Sequence, residues 1–320
     1  MKKTYLVTGG AGFIGSHIVD RLMKQGNRVV VIDDLSGGRK QNIEHHLDSK
    51  NFAFYQQSIL YDIGGIFKQH NVDVVLHQAA LPRVQFSIEF PMESHSVNTT
   101  GTLNVLDTAY KHGVKRFIYA GSSSAYGEQK RLPYKEEMLV NPLSPYALQK
   151  FTGEMYCKLY HNIHNMETIV LRYFNVFGPR QDPNGAYAGM IPRFFEKYLS
   201  GEAPIIYGDG RQTRDNTYID SVVDVNMLAI KTKNKEAFGQ TFNIGGGQQR
   251  SVNEVAQKIQ KLVGSDIKPQ HGPAVVEARR SEADTSKAQK ILGWEPQDNF
   301  DECLRKTADY YIKLHTGEIK

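Results

Sequence analysis

Tyr146 and Lys150 lie four residues apart in the run SPYALQK. On a helix this spacing puts both side chains on one face. Ser144 and Pro145 suit an N-cap and a first helical residue, so a helix is expected to open just before the tyrosine. A phenol beside an ammonium is an acid–base pair. Free tyrosine, with a pKa of about 10, is a poor base at neutral pH; bringing it to about 7 takes ~4 kcal/mol of differential stabilisation of the phenolate. A lysine ammonium supplies part of this. Alone, a YxxxK pair is common by chance and is better read as a surface pair. Ser122, Ser123 and Ser124 change that reading, because they follow the apolar run Phe117–Ala120. A serine at the carboxyl end of a parallel strand can hold a reacting alcohol oxygen beside the phenol. For Ser124 a polar loop serves equally well.

Thr8–His17 reads TGGAGFIGSH, with Gly9, Gly12 and Gly15 between a short apolar run and an amphipathic one. Glycines at this spacing permit a tight turn, close approach of backbone to a pyrophosphate, and close helix–strand packing. The helix N-terminus adds amide donors and a partial positive charge. Asp33 ends the next apolar run, where a carboxylate accepts from adenosine ribose hydroxyls and repels a 2′-phosphate. NAD is therefore expected rather than NADP, with Arg39 close enough to weaken the preference. Asp34 suits a turn. The positive ring of NAD would supply the rest of the phenol's activation.

Positioning these groups requires a parallel sheet. Thr4–Thr8, Arg28–Asp33, Phe52–Gln56, Val72–His77, Arg116–Gly121 and Thr168–Tyr173 are short β-branched-rich runs, separated by helical stretches such as Gly15–Gln25 and Thr99–His112. Alternation of this kind predicts a doubly wound parallel sheet, the Rossmann arrangement, covered on both faces. After Asn175 the texture changes. Gly178–Gly189 reads as a long loop. Helices are expected at Ile191–Ser200, Thr217–Ile230, Ser251–Val263, Asp284–Leu292 and Asp301–Leu314, and one more buried strand at Thr241–Ile244. Ser251 with Glu254 forms a capping-box pattern. The expected division is a cofactor domain over 1–175, to which 217–245 returns, and a smaller mixed α/β domain over 176–216 and 246–320.

The chain has 320 residues, 40% hydrophobic and 23% charged, which is globular composition with room for a sizeable core. Its mean hydropathy of −0.46 and the lack of a long apolar run exclude a transmembrane helix. The apolar stretch at the N-terminus is too short for a secretory signal. Two distant cysteines, Cys157 and Cys303, exclude a disulfide framework and a cysteine zinc site, and a cytoplasmic setting is expected. The net charge of +5 is scattered rather than gathered into a stripe, so no nucleic-acid partner is expected. His161 and His164 lack a third ligand at metal spacing, and His45 and His46 are read the same way, as exposed histidines.

TGGAGFIGSH, Asp33, HQAA at His77–Ala80, NTTGT at Asn98–Thr102, SSSAYG at Ser122–Gly127, the YxxxK pair and RYFNVFGPRQDPNGAYA from Arg172 stand in order along nearly the whole chain. Together they resemble the extended short-chain dehydrogenases/reductases, and within them the UDP-hexose 4-epimerases, most closely those acting on UDP-N-acetylglucosamine. The resemblance implies a retained NAD lined by Gly9, Gly12, Phe13, Ile14, Gly15, Asp33, Asp34, Ser58, Ile59, Ala79, Asn98, Tyr146, Lys150 and Tyr173. Tyr146 would take the proton of the sugar 4-hydroxyl, Lys150 would tune it and bind the nicotinamide ribose, and Ser122 would hold the 4-oxygen. Ser123, Asn175, Arg214, Arg279 and Ser281 would complete the nucleotide-sugar site. A homodimer through the helix after Asn98 and the helix of Tyr146 is also implied.

Related dehydratases carry Asp and Glu after the catalytic hydroxyl residue, for proton transfers at C5 and C6. Here Ser123 and Ser124 take those places, and the Glu usual in the decarboxylases is absent. Ser281 matches a gate position that is a large aromatic residue in epimerases restricted to non-acetylated sugars. A basic residue that meets a uronate carboxylate in UDP-glucuronate epimerases falls where this chain has Asp182. Ser58 departs from a usual Asp at the adenine, and Asn216 from a usual aromatic. The expected activity is 4-epimerisation of UDP-GlcNAc, with UDP-glucose a further substrate. The alternatives are a UDP-hexuronate epimerase, an NAD-dependent dehydratase or oxidoreductase, and a non-catalytic sensor.

Overall fold

The computed structural model describes residues 3–82, 84–184, 189–274, 278–296 and 299–319. Six parallel strands precede residue 175: β1 (Thr4–Thr8), β2 (Arg28–Ile32), β3 (Phe52–Tyr55), β4 (Val74–His77), β5 (Arg116–Ser122) and β6 (Glu167–Tyr173). The helices between them are α1 (Phe13–Lys24), α2 (Gly64–His70), α3 (Val84–Glu89), α4 (Pro91–His95), α5 (Thr102–Lys111) and α6 (Pro145–His164). A seventh strand, Gln240–Ile244, returns to pair in parallel with β6. The order is Gln240–Ile244, β6, β5, β4, β1, β2, β3. The order reverses beside β1, where the crevice of a doubly wound sheet opens at the carboxyl ends of the strands.

Both faces of the sheet are buried because its strands are apolar at successive positions. Val7, Val31, Leu76, Ile118 and Leu171 face one cluster, with α1 and the helix Ile219–Lys231. Leu6, Val30, Val75, Phe117 and Val170 face the other, with α5 and α6. Burying one such side chain contributes roughly 1.5–3 kcal/mol. Beyond the sheet, three short pairs lie among helices Met190–Leu199, Val252–Leu262 and Phe300–Thr316. They join Val176–Phe177 to Thr217–Tyr218, Thr213–Asp215 to Gln249–Ser251, and Ile205–Tyr207 to Gln270–Gly272.

Two expectations shift. The stretch expected to be helical from Thr217 opens with a strand and turns helical at Ile219, because Thr217 is bound into the sheet end through Phe174 O at 2.6 Å. The helix expected from Thr99 opens with a wider π turn over Ser96–Gly101 before α5. Of the expected loop Gly178–Gly189, residues 185–188 lie outside the described residues, and the others carry no helix or strand. Ser251 caps its helix as expected, its hydroxyl accepting from Glu254 N–H at 3.1 Å.

Candidate active site

A cavity of about 940 Å³ opens at the carboxyl ends of β1, β4, β5 and β6 and runs under the smaller half of the chain. Its cofactor end is shaped by glycine. Gly9 has φ +67°, and a Cβ there would lie 2.7 Å from Ala79 N, while one on Gly15 would overlap the Gly9 carbonyl. The turn after β1 thus packs directly on the turn after β4. No side chain caps α1, whose first amides stand where Gly12, Phe13 and Ile14 line the cavity. Asp33 is 7% exposed at the end of β2. Its carboxylate accepts from Ala11 N–H and Leu35 N–H, each at 2.9 Å. Burial raises its pKa, and these bonds lower it again. Asp34 is a turn residue, accepting from Ser36, and also lines the cavity with Ile59 and Ala79.

The part of the cavity that holds the expected Ser–Tyr–Lys set is built by β5 and α6. Ser144 caps α6 by accepting from Ala147 N–H at 3.2 Å, with Pro145 next, so Tyr146 and Lys150 occupy the first turns. Both line the cavity, as do Ser122 and Ser123 at the end of β5. Ser122 Oγ lies 2.8 Å from Ser124 Oγ. Burial pushes the Tyr146 phenol up, and its bond with the Ser122 hydroxyl draws it back. Burial lowers Lys150 to about 7. Beneath them His77 bridges Thr8 at 2.7 Å and Thr102 at 3.0 Å; burial, then the Lys150 charge, lowers it to about 3, so it is a neutral structural link.

Tyr173, pushed up to about 12 by burial, lines the cavity and accepts from Asn226 at 2.8 Å. Across the cavity stand Asn175, Arg214 and Ser281. Asn175, at φ +27°, donates to Asp215 O at 2.8 Å and reaches Ser281 Oγ at 3.5 Å.

Three expected site residues lie off the cavity lining. Asn98 is buried, its amide engaged by Leu81 N–H at 2.7 Å and Gln149 Oε1 at 2.9 Å. The Ser58 hydroxyl accepts from Leu60 N–H at 3.3 Å. The Arg279 side chain is 66% exposed and held by Asp209 at 3.2 Å. The sequence reading passed over Gln78 and Gln181, which line the cavity. Gln78 Nε2 and Gln181 Oε1 are buried without hydrogen-bond partners among the described residues. Gln78 sits inside the quoted HQAA run, which was the available signal. The glycine cradle, the buried carboxylate at β2 and the unpartnered Gln78 donor fit a dinucleotide.

Residues 5–245 match the model of the NAD dependent epimerase/dehydratase family. A protein of Methanocaldococcus jannaschii named a putative UDP-glucose 4-epimerase is 40% identical over 311 residues, covering 95% of this chain and 97% of its own. Two solved structures superpose closely. The UDP-N-acetylglucosamine 4-epimerase of Methanobrevibacter ruminantium, in complex with UDP-N-acetylmuramic acid, has TM-score 0.92 and 36% identity, covering 98% of this chain and 100% of that one. The UDP-glucuronic acid 4-epimerase of Bacillus cereus, in complex with UDP-glucuronic acid and NAD, has TM-score 0.90 and 34% identity, covering 97% and 99%. Fold, cofactor cradle and these likenesses agree, and the chain belongs to the NAD-dependent epimerase/dehydratase family of extended short-chain dehydrogenases/reductases, among its UDP-sugar 4-epimerases.

Proposed function

We propose that this protein interconverts UDP-N-acetylglucosamine and UDP-N-acetylgalactosamine by inverting C4, with UDP-glucose and UDP-galactose as further substrates. The supporting observation is Ser281, a small side chain that lines the cavity beside Asn175 and leaves space for a C2 N-acetyl group. NAD, held by the Gly9, Gly12 and Gly15 turn, would supply a reversible hydride acceptor at C4, and inversion would require the hydride to be accepted back on the opposite face of the sugar. Tyr146 receives the 4-hydroxyl proton while the Ser122 hydroxyl holds the 4-oxygen. Lys150, on the same helix face, stabilises the phenolate and binds the nicotinamide ribose. Ser123 borders the sugar. Asn175 and Arg214 hold the diphosphate, the guanidinium by its permanent charge and donor geometry. Residues 176–216 and 246–320 form the nucleotide-sugar domain in this reading.

A UDP-hexuronate substrate is the second reading, favoured by the likeness to the Bacillus cereus enzyme. Asp182 counts against it, because by the resemblance this position carries the basic residue that meets a uronate carboxylate, whereas here it is acidic, lines the cavity and pairs with Arg39 at 2.7 Å. A homodimer is part of this reading, supported by the outer stripe of α6, where Leu148, Met155, Leu159 and Ile163 are exposed at helical spacing, with Met92 and Tyr110 also exposed; sedimentation reads its stoichiometry. The activity test is incubation of purified protein with UDP-GlcNAc, UDP-glucose and UDP-glucuronate in separate reactions, with products resolved by sugar NMR. UDP-GalNAc is the expected main product. Conversion of UDP-glucuronate alone would replace this reading with the second one.

A further inference from the structure

Asp20, His45 and His46 lie outside the cavity lining and take no part in the proposed reaction. Asp20 is a half-buried residue of α1. His45 and His46 are adjacent in one tight turn, Glu44–His46. Their Nε2 atoms converge on a single oxygen, Asp20 Oδ1, at 2.8 and 2.7 Å. The three donor atoms all lie within 4.8 Å of one another. We propose that these side chains form a site for one divalent transition-metal ion of the zinc class, with solvent completing the coordination.

The donor set selects the ion. Two imidazole nitrogens and one carboxylate suit zinc, whereas magnesium and calcium require mostly oxygen. A carboxylate only accepts hydrogen bonds, so each Nε2 here carries a proton toward Asp20. When the metal takes the Nε2 lone pair, the single proton of each neutral imidazole moves to Nδ1 by exchange with solvent. Tetrahedral zinc, with bonds of about 2.0–2.2 Å, needs its donor atoms about 3.3 Å apart. The present cluster must therefore open by roughly 0.5 Å.

The supporting elements are fixed. Ile43 is fully buried just before the histidines, and Asn42 donates to Ala11 O at 2.8 Å. The His46 ring lies 5.6 Å from Phe52 on one side and 4.0 Å from His45 on the other. Arg180 engages the opposite oxygen, Asp20 Oδ2, at 2.8 Å, which leaves Oδ1 as a single metal ligand. Its charge weakens the attraction for a cation without blocking Oδ1. The side chain of His45 is 49% exposed, so water can reach the remaining positions.

The test is competition for Zn²⁺ between the untagged full-length protein and a chromophoric chelator at pH 7.5. One equivalent of Zn²⁺ per chain is expected, retained in a hundredfold excess of Mg²⁺. Asp20→Asn and His45→Gln should each weaken binding by at least about tenfold. His45→Gln alters a half-exposed side chain and carries the test if Asp20→Asn fails to fold. No bound Zn²⁺, displacement by Mg²⁺, or unchanged affinity in the folded variants would overturn the site.

Discussion

Lys150 Nζ lies 4.5 Å above the ring centroid of Tyr119, and the Tyr119 hydroxyl donates to the Lys150 carbonyl oxygen at 3.2 Å. Strand β5 and helix α6 are joined at the residue proposed to tune Tyr146. Both side chains are buried, and the aromatic face offsets part of the cost of burying a cation. Burial lowers Lys150 to about 7 and raises Tyr146, both of which disfavour a phenolate–ammonium pair. In the proposed reaction the positive charge of the oxidised cofactor supplies the rest of the phenolate's stabilisation, which ties activation of Tyr146 to an occupied cofactor site.

Tyr146→Phe should therefore lower kcat by about 10²–10⁴ on any accepted UDP-sugar. The ring still fills its place and the Tyr146 N–H still donates to Ser87 Oγ at 3.0 Å, so thermal unfolding and NAD content should match the parent protein. Steady-state kinetics beside a melting curve separate the two effects. Turnover within tenfold of the parent would remove Tyr146 from the chemistry.

The sheet and the glycine cradle were legible in the sequence because continuous apolar runs and Gly9, Gly12 and Gly15 act locally. The same holds for Ser144 at the start of α6. Helices α2, α3 and α4 were not read, being only 7, 6 and 5 residues long, too short for a 3.6-residue period to emerge. Asn98 and Arg279 stood in recognisable runs, but Leu81, Gln149 and Asp209 decide where their side chains point. Asp215 was invisible as an organising residue. Its partners Gly246, Gly247 and Ala283 lie 31, 32 and 68 residues away, a relationship no local pattern carries.

Substrate breadth should turn on Ser281, which is 7% exposed and packed between Asn175 and the Asp215 amide. Ser281→Tyr places a phenol ring in the space assigned to the C2 substituent. Conversion of UDP-GlcNAc should fall at least about tenfold relative to UDP-glucose, since overpacking costs about 1–3 kcal/mol. Parallel assays of both sugars read the ratio. An equal loss on both would place the N-acetyl group elsewhere.

Asp215 joins the walls of the proposed nucleotide-sugar half. Its Oδ1 accepts from Gly246 N–H at 2.6 Å, and its Oδ2 from Gly247 N–H at 3.1 Å and Ala283 N–H at 2.9 Å. Its chain neighbours Arg214 and Asn216 line the cavity. Burial raises the carboxyl from its ordinary 3.8 to about 6, and the three amide bonds offset only part of that cost. Between these pH values the folded chain holds a proton that the unfolded chain has released. The stability this proton contributes is complete below pH 3.8 and is lost as pH rises through about 6. Asp215→Asn has no such proton, so it should destabilise most near pH 4 and progressively less toward pH 7. At neutral pH its amide also turns N–H groups toward backbone donors, and losing one charge-assisted bond costs about 1.5–3 kcal/mol. KM for the UDP-sugar should then rise about tenfold, with a smaller change in kcat. Urea unfolding of both proteins from pH 4 to 8 reads the first effect and kinetics at pH 7.5 the second. Parallel pH–stability curves for the two proteins would show that this carboxyl is not the group titrating near pH 6.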